Sequence, residues 1–84
     1  MPTSGTKGVS QTRKEFSKIQ RHDYIEKIAA FIVDGWDAAD KGDQAACKAA
    51  KHSAMQIASQ AAEDLGHTAG YWLAESQFRA ADLY

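Results

Sequence analysis

A chain of 84 residues with 44% hydrophobic and 25% charged residues has the composition of one small globular domain, and its core is thin because folding at this length buries only about 60% of the unfolded surface. The net charge is -1, no apolar run approaches the roughly 20 residues that span a bilayer, and MPTSGTKGVS lacks the apolar middle of a secretory signal. We therefore expect a cytoplasmic protein with no membrane partner.

The N-terminal segment predicts a tail followed by a helix. Residues 1–10 are rich in glycine, serine and threonine, which predicts a disordered N-terminal tail before a single helical domain over residues 11–84. The residues from Thr12 to Glu15 have the pattern of a capping box, in which each side chain bonds the other residue's backbone amide. A first helix is therefore expected to start at Arg13.

A second capping box, from Asp23 to Glu26, leaves two interpretations of this helix open. Either the helix kinks near residue 23, or it runs unbroken from about Arg13 to Lys41. Gly42 can take the left-handed conformation that closes a helix, so the helix should end there. The apolar residues after Asp23 share one face, which we expect to line the core. They are Tyr24, Ile25, Ile28, Phe31, Ile32, Trp36 and Ala39.

The next helix is expected over residues 44–65, with Asp43 as its N-cap and Gly66 at its end. Its apolar face is mostly alanine, which favours the helix intrinsically and allows a neighbouring helix to approach closely. The residues of this face are Cys47, Ala50, Ala54, Ile57, Ala58, Ala61 and Leu65. Most of the bulk of the core must then come from the other helices.

The third helix is expected from Ala69 to near Tyr84, with Thr68 as its cap. It is apolar in three directions, a pattern typical of a helix that is surrounded by others. The three stripes are Tyr71, Ala74, Phe78 and Ala81; Leu73, Ala80 and Tyr84; and Trp72 and Leu83. The predicted fold is all-α, a small bundle of a long first helix and an antiparallel helix pair, completed by dimerisation.

Several kinds of chemistry have no support in the sequence. Cys47 is the only cysteine, and the histidines show no metal-ligand spacing, so we expect no metal. The glycines are scattered and form no phosphate-binding loop, and no serine lies in a nucleophile elbow. We expect no enzyme activity, no cofactor and no small-molecule substrate.

The apolar surplus predicts a small interaction or regulatory protein that acts through exposed apolar and acidic helix faces, most simply as a homodimer. Phe16 and Ile19 also contribute, because they project on the polar side of the first helix. The expected protein-interaction residues are Phe16, Ile19, Trp72, Leu73, Leu83 and Tyr84.

The charge distribution supports an alternative function. Up to His22 the chain carries five basic residues and one acid, whereas from Asp23 onward acids outnumber bases by ten to five. A basic arm on an acidic body can bind nucleic acid, an acidic partner or a second copy of the chain. In the nucleic-acid alternative, phosphates are bound by Arg13, Lys14, Lys18 and Arg21.

Overall fold

A computed structural model describes the backbone from Pro2 to Tyr84 and the side chains from Ile19 to Tyr84. The chain forms three helices: α1 (Pro2–Asp40), α2 (Gln44–Leu65) and α3 (Ala69–Leu83). Over the described backbone there is no strand. The all-α fold of three helices that the sequence predicts is confirmed.

The first helix continues without a break through Asp23. The molecule extends 59 Å along its longest axis, close to the length of a straight helix of 39 residues at about 1.5 Å per residue. Asp23 pairs with Lys27 at 3.1 Å instead of starting a new helix. In the structure α1 begins at Pro2, ahead of the start expected at Arg13. The tail expected over residues 1–10 lies outside the residues whose side chains are described, and it stays a prediction.

Local chemistry ends α1 and begins α2 where the sequence predicts. Gly42 has a φ of +76°, its amide donates to the Ala39 carbonyl at 3.0 Å, and the Asp43 amide donates to the Ala38 carbonyl at 2.8 Å. These two bonds form a Schellman motif, which satisfies the last carbonyls of the helix. The Asp43 carboxylate accepts from the Ala46 amide at 3.0 Å, so Asp43 is the N-cap of α2 as predicted.

The second turn shares with the first a glycine of positive φ and a side-chain cap, but the Gly66 amide donates to the Ala62 carbonyl at 3.0 Å in the ordinary helical pattern. Gly66 has a φ of +91° and directly follows Leu65, the last residue of α2. The Thr68 hydroxyl accepts from the Tyr71 amide at 3.1 Å and caps α3, as the sequence predicts. His67 lies between them with a φ of +67°, a conformation that costs free energy in a residue with a Cβ.

The helices pack so that α2 runs antiparallel to α1, and α3 runs alongside α1 in the same direction. Arg79 of α3 donates to Glu26 of α1 at 2.7 Å, and further along the rings of Trp36 and Tyr84 lie 5.6 Å apart. The antiparallel pair of α2 and α3 is thereby confirmed. The buried residues that form the hydrophobic core are Ile28, Ala54, Ala58, Ala61 and Trp72.

The alanine face of α2 packs closely against α1. Ala50, Ala54, Ala58 and Ala61 are all buried, as the sequence predicts. A Cβ added to Gly35 of α1 would lie 3.6 Å from the Ala50 Cβ, so the two helices touch where both side chains are smallest. Small residues on facing helices let the axes approach, and this contact holds α1 and α2 together.

The prediction for the core face of α1 is wrong at its end. Trp36 is 37% exposed and Ala39 is exposed, whereas Ala29 and Ala38 are buried. The reason is that α1 is flanked by two helices and buries more than one direction. A helical-wheel projection that assumes one apolar face gives most weight to large side chains and misses small residues that are covered by a neighbouring helix.

Candidate interaction surface

The turn between α2 and α3 is packed around Trp72, and the prediction that this residue contacts a partner is not supported. Trp72 is 1% exposed, and its indole Nε1 donates to the Gly66 carbonyl at 2.8 Å. The Tyr71 ring stands edge-on to the indole at 5.5 Å. Trp72 is therefore a core residue of the single chain, because α1 and the turn cover the side of α3 on which it lies.

Polar contacts tie α1 to this turn. Arg21 Nη2 donates to the Tyr71 hydroxyl at 3.0 Å and lies 3.7 Å from a Glu75 carboxylate oxygen, and its guanidinium carbon is 5.9 Å from the centre of the Trp72 ring. The hydrogen bond to Tyr71 raises the pKa of Arg21, although desolvation opposes the shift. Arg21 is thus engaged within the fold.

A second tie joins α1 to the end of α2. The Tyr24 hydroxyl donates to the Asp64 carboxylate, which also accepts from Gln60 Nε2 at 3.1 Å. This hydrogen bond, with a smaller effect of desolvation, raises the pKa of Tyr24 to about 12. We call Arg21, Tyr24, Asp64, Tyr71 and Trp72 the turn cluster. Its aromatic side chains are held by bonds within the chain.

A groove opens elsewhere on the bundle, where α2 and α3 flank α1. Its volume is about 270 Å³. The floor comes from α1, one wall from α2 and the other from α3. The lining residues are Ile32, Gly35, Trp36, Lys51, Ala54, Met55, Leu73 and Gln77. The polar groups of this lining are the Lys51 ammonium, the Gln77 amide and the Trp36 indole N–H, and the rest is apolar, so the groove suits an apolar occupant with a polar edge.

Trp36 of the groove floor packs against a second aromatic residue, Tyr84, which lies beside the groove. The rings of Trp36 and Tyr84 meet edge to face at 5.6 Å with an interplanar angle of 86°. The Tyr84 hydroxyl donates to the Asp40 carboxylate, and this hydrogen bond raises the pKa of Tyr84. Because Tyr84 remains 58% exposed, the pair presents aromatic surface to solvent.

The structure brings only some of the predicted interaction residues together. Leu73 lines the groove, and Tyr84 packs on Trp36 beside it. Leu83 is 47% exposed near the same helix end, whereas Ile19 is 62% exposed but lies two residues before Arg21, next to the turn cluster. Phe16 lies outside the residues whose side chains are described.

Three apolar residues of the exposed surface escaped the sequence prediction. Met55 is 46% exposed, Phe78 is 76% exposed, and Trp36 was assigned to the core. Met55 carried a usable signal, because methionine adapts to irregular partners and is common on binding surfaces. Phe78 belongs to the stripe of α3 that the sequence does identify. That stripe is the one facing solvent, which only the packing of α3 decides.

The cations next to the groove are unpaired within the described part of the chain. Lys48 and Lys51 make no ion pair with any residue from Ile19 to Tyr84, although every other lysine and arginine in that range does. Lys48 lines a shallower depression that shares Lys51 with the groove. The α2 side of the groove therefore carries one lysine, Lys51, and a second, Lys48, nearby, neither paired with an acid of the described residues.

The described side chains include one of the four basic residues of the nucleic-acid alternative. Arg13, Lys14 and Lys18 lie outside the residues whose side chains are described, and Arg21 is bound to Tyr71 and Glu75. This alternative stays a prediction.

From Ile19 to Tyr84 no three acidic, histidine or cysteine side chains are grouped as metal ligands. In the same part of the chain, no helix has the length and apolar content to cross a membrane. No family model, no curated protein and no solved structure matches this chain, so its function has to be inferred from its own residues.

Proposed function

We propose that this chain is a small protein–protein interaction protein that acts through exposed apolar helix faces and associates with itself as a homodimer. The observation that carries the proposal is the apolar groove floored by Trp36, together with the large apolar side chains left exposed around the bundle. Among the side chains from Ile19 to Tyr84, Phe78 is the most exposed of these, at 76%.

The argument from burial is physical. Large apolar side chains in water cost free energy, and contiguous apolar surface on a small domain usually marks a contact site. The core here relies on four alanines of α2, which contribute little area when buried. A domain of this size gains proportionally more than a large one when a second chain covers its surface.

The site favours a protein partner over a small molecule. The groove of about 270 Å³ lies at the lower limit of the roughly 300 to 1,000 Å³ of most small-molecule pockets. Its walls are a methionine and a leucine on two different helices, Met55 and Leu73. A helix surface with protruding side chains fits between two such walls.

The direct test is sedimentation velocity, or light scattering, over the micromolar range. We expect a species of about twice the 9.2 kDa chain mass, with a dissociation that becomes visible on dilution. A monodisperse monomer at the highest concentration would contradict the homodimer. Its groove would then have to serve a different protein.

The same samples discriminate the nucleic-acid alternative. Phosphate contacts make affinity fall steeply with salt, so any such binding should be strongest at low ionic strength. For an interaction protein we expect no change in the mobility of DNA or RNA at 50 mM salt, the regime in which phosphate contacts are strong. A retarded band that is lost when Arg13 and Lys14 become glutamine would support the alternative.

A further inference from the structure

We infer that the homodimer forms by insertion of Phe78 of each copy into the groove of the other, with Asp82 of the inserted helix next to Lys51. This inference rests on the proposed homodimer and names its contact. The occupant of the groove is thus a second copy of this chain.

Phe78 has the form of a residue that inserts. It is 76% exposed on the outer stripe of α3, and two of its four neighbours on the adjacent helical turns are alanines, Ala74 and Ala81. On the side of these two alanines the phenyl ring stands above the surface of the helix. Its own chain does not cover it.

The groove has the composition to receive one aromatic ring. Trp36 and Tyr84 already form an edge-to-face pair at 5.6 Å, and a third ring can extend it in the geometry that aromatic side chains prefer. Met55 provides a flexible wall that adapts to the shape of the ring.

Charge complementarity points to a second copy rather than an unrelated partner. Lys51 lines the groove and makes no ion pair with any residue from Ile19 to Tyr84. Asp82 is exposed, makes no ion pair within the same range, and lies four residues after Phe78 on the same face of α3. The exposed phenyl ring is thus accompanied by the negative charge of Asp82, and the apolar groove by the positive charge of Lys51.

Phe78 and the wall that α3 contributes to the groove are adjacent on this helix. This arrangement allows a closed dimer. Gln77 lines the groove, and Phe78 is turned by about 100° from it. Two α3 helices packed through the small residues Ala74 and Ala81 can approach closely, with a ring entering a groove on each side. Such a pairing is isologous, so it ends at two chains.

The main test compares two truncations of exposed apolar residues. Phe78→Ala is expected to raise the dissociation constant of the dimer about tenfold or more, as for a central buried anchor of an interface. The comparison variant is Ile19→Ala, because Ile19 is 62% exposed and is the residue near the turn cluster that the sequence assigned to a partner contact. An interface at the groove predicts that its dissociation constant is unchanged, whereas an interface on α1 predicts that it rises. Circular dichroism and thermal unfolding of the diluted monomers should show that both variants fold.

A charge exchange tests the second contact. Lys51→Glu and Asp82→Lys are each expected to weaken the dimer severalfold, and the double variant is expected to recover most of the loss. The control double variant combines Lys51→Glu with Asp34→Lys, which makes the same change in net charge at an exposed aspartate of α1. It should not recover. Equal recovery in both double variants would contradict a direct pairing of Lys51 and Asp82.

The outcomes separate this inference from the proposed function. If the unmodified chain is a monomer at all concentrations, both fail. If the chain dimerises and Phe78→Ala dimerises equally well, only the inference fails. In that case, loss of the dimer in Ile19→Ala would place the interface on α1.

Discussion

The turn cluster and the groove use the same residue types in opposite ways. Trp72 in the turn cluster is 1% exposed and bonds the Gly66 carbonyl, whereas Trp36 in the groove is 37% exposed and contacts the ring of Tyr84. A tyrosine hydroxyl donates to an aspartate in both places, from Tyr24 in one and from Tyr84 in the other.

This difference shows how a thin core is distributed. The Trp72 side chain joins the three helices at the turn between α2 and α3, where hydrogen bonds from α1 and α2 surround it. The Trp36 side chain remains partly exposed, because α2 and α3 flank α1 at the groove without covering it. Stability should therefore depend mainly on the turn cluster, and association mainly on the groove.

Truncation of the two tryptophans should show the largest contrast. Trp72→Ala removes the central buried side chain and its hydrogen bond, and it is expected to lower the free energy of unfolding by about 3 to 5 kcal/mol, a large part of the stability of a small domain. Trp36→Ala loses a half-exposed aromatic contact and should cost about 1 kcal/mol. Urea unfolding measures both losses, provided that the slope of the unfolding free energy against urea concentration is the same in the two variants and the unmodified chain.

One result would contradict this contrast between the two tryptophans. If Trp36→Ala costs as much as Trp72→Ala at a concentration where the chain is monomeric, the groove is part of the structural core. Because association adds to apparent stability, the measurement needs dilute protein.

Two glycines should respond to alanine with opposite signs. Gly42 has a φ of +76°, and a Cβ there is strained, so Gly42→Ala should destabilise by about 1 kcal/mol. Gly35 lies inside α1, where an added Cβ meets Ala50 at 3.6 Å, an ordinary contact. Gly35→Ala should therefore stabilise by about 0.5 to 1 kcal/mol through helix propensity. Thermal unfolding of the two variants side by side provides the check.

The smallest effect concerns alkaline pH. The Asp64 hydrogen bond raises the pKa of Tyr24 to about 12, so the folded chain holds this proton more tightly than the unfolded chain, whose tyrosines titrate near pH 10. The resulting stability is fully present below about pH 10 and is lost as the pH rises towards about 12. In Tyr24→Phe, unfolding free energy should fall less steeply over this window than in the unmodified chain.

Tyr84→Phe is the matched control from the groove side. The pKa of Tyr84 is also raised by an aspartate, Asp40, so the sign of the effect is the same. It should be smaller than that of Tyr24→Phe, because Tyr84 is 58% exposed and its bond is screened by solvent. A larger effect from Tyr84 would reverse the assignment of stability to the turn cluster.

Sequence patterns located the helix ends after residue 40, because each is built from residues close together in the chain. Asp43 and Thr68 cap with bonds that span three residues, and Gly42 and Gly66 adopt positive φ where a helix must stop. The capping box at Asp23 shows the limit of such patterns. The same residues fit inside a continuous helix, and there the carboxylate of Asp23 pairs with Lys27.

The exposed surface was harder to predict, since it depends on which side of each helix meets a neighbour. Phe16, Ile19, Trp72, Leu73, Leu83 and Tyr84 share an apolar character that the sequence reveals, but the same signal marks both core and surface. Trp72 proved to be buried. Trp36 and Phe78 carried nothing in the sequence that separated them from core residues, and the only signal at Met55 was the adaptable character of methionine.

The sequence by itself thus determined the three-helix composition, the two turns and the alanine face of α2, since caps, glycine conformations and a single small-residue stripe depend on near neighbours. Only the tertiary structure decided which stripe of α3 turns inward. That helix has an apolar stripe in each of three directions, and its sequence pattern favours none of them for burial. The positions of Gly66 and Arg21 around Trp72 select one direction. That selection leaves Phe78 in solvent and the groove floored by Trp36 open.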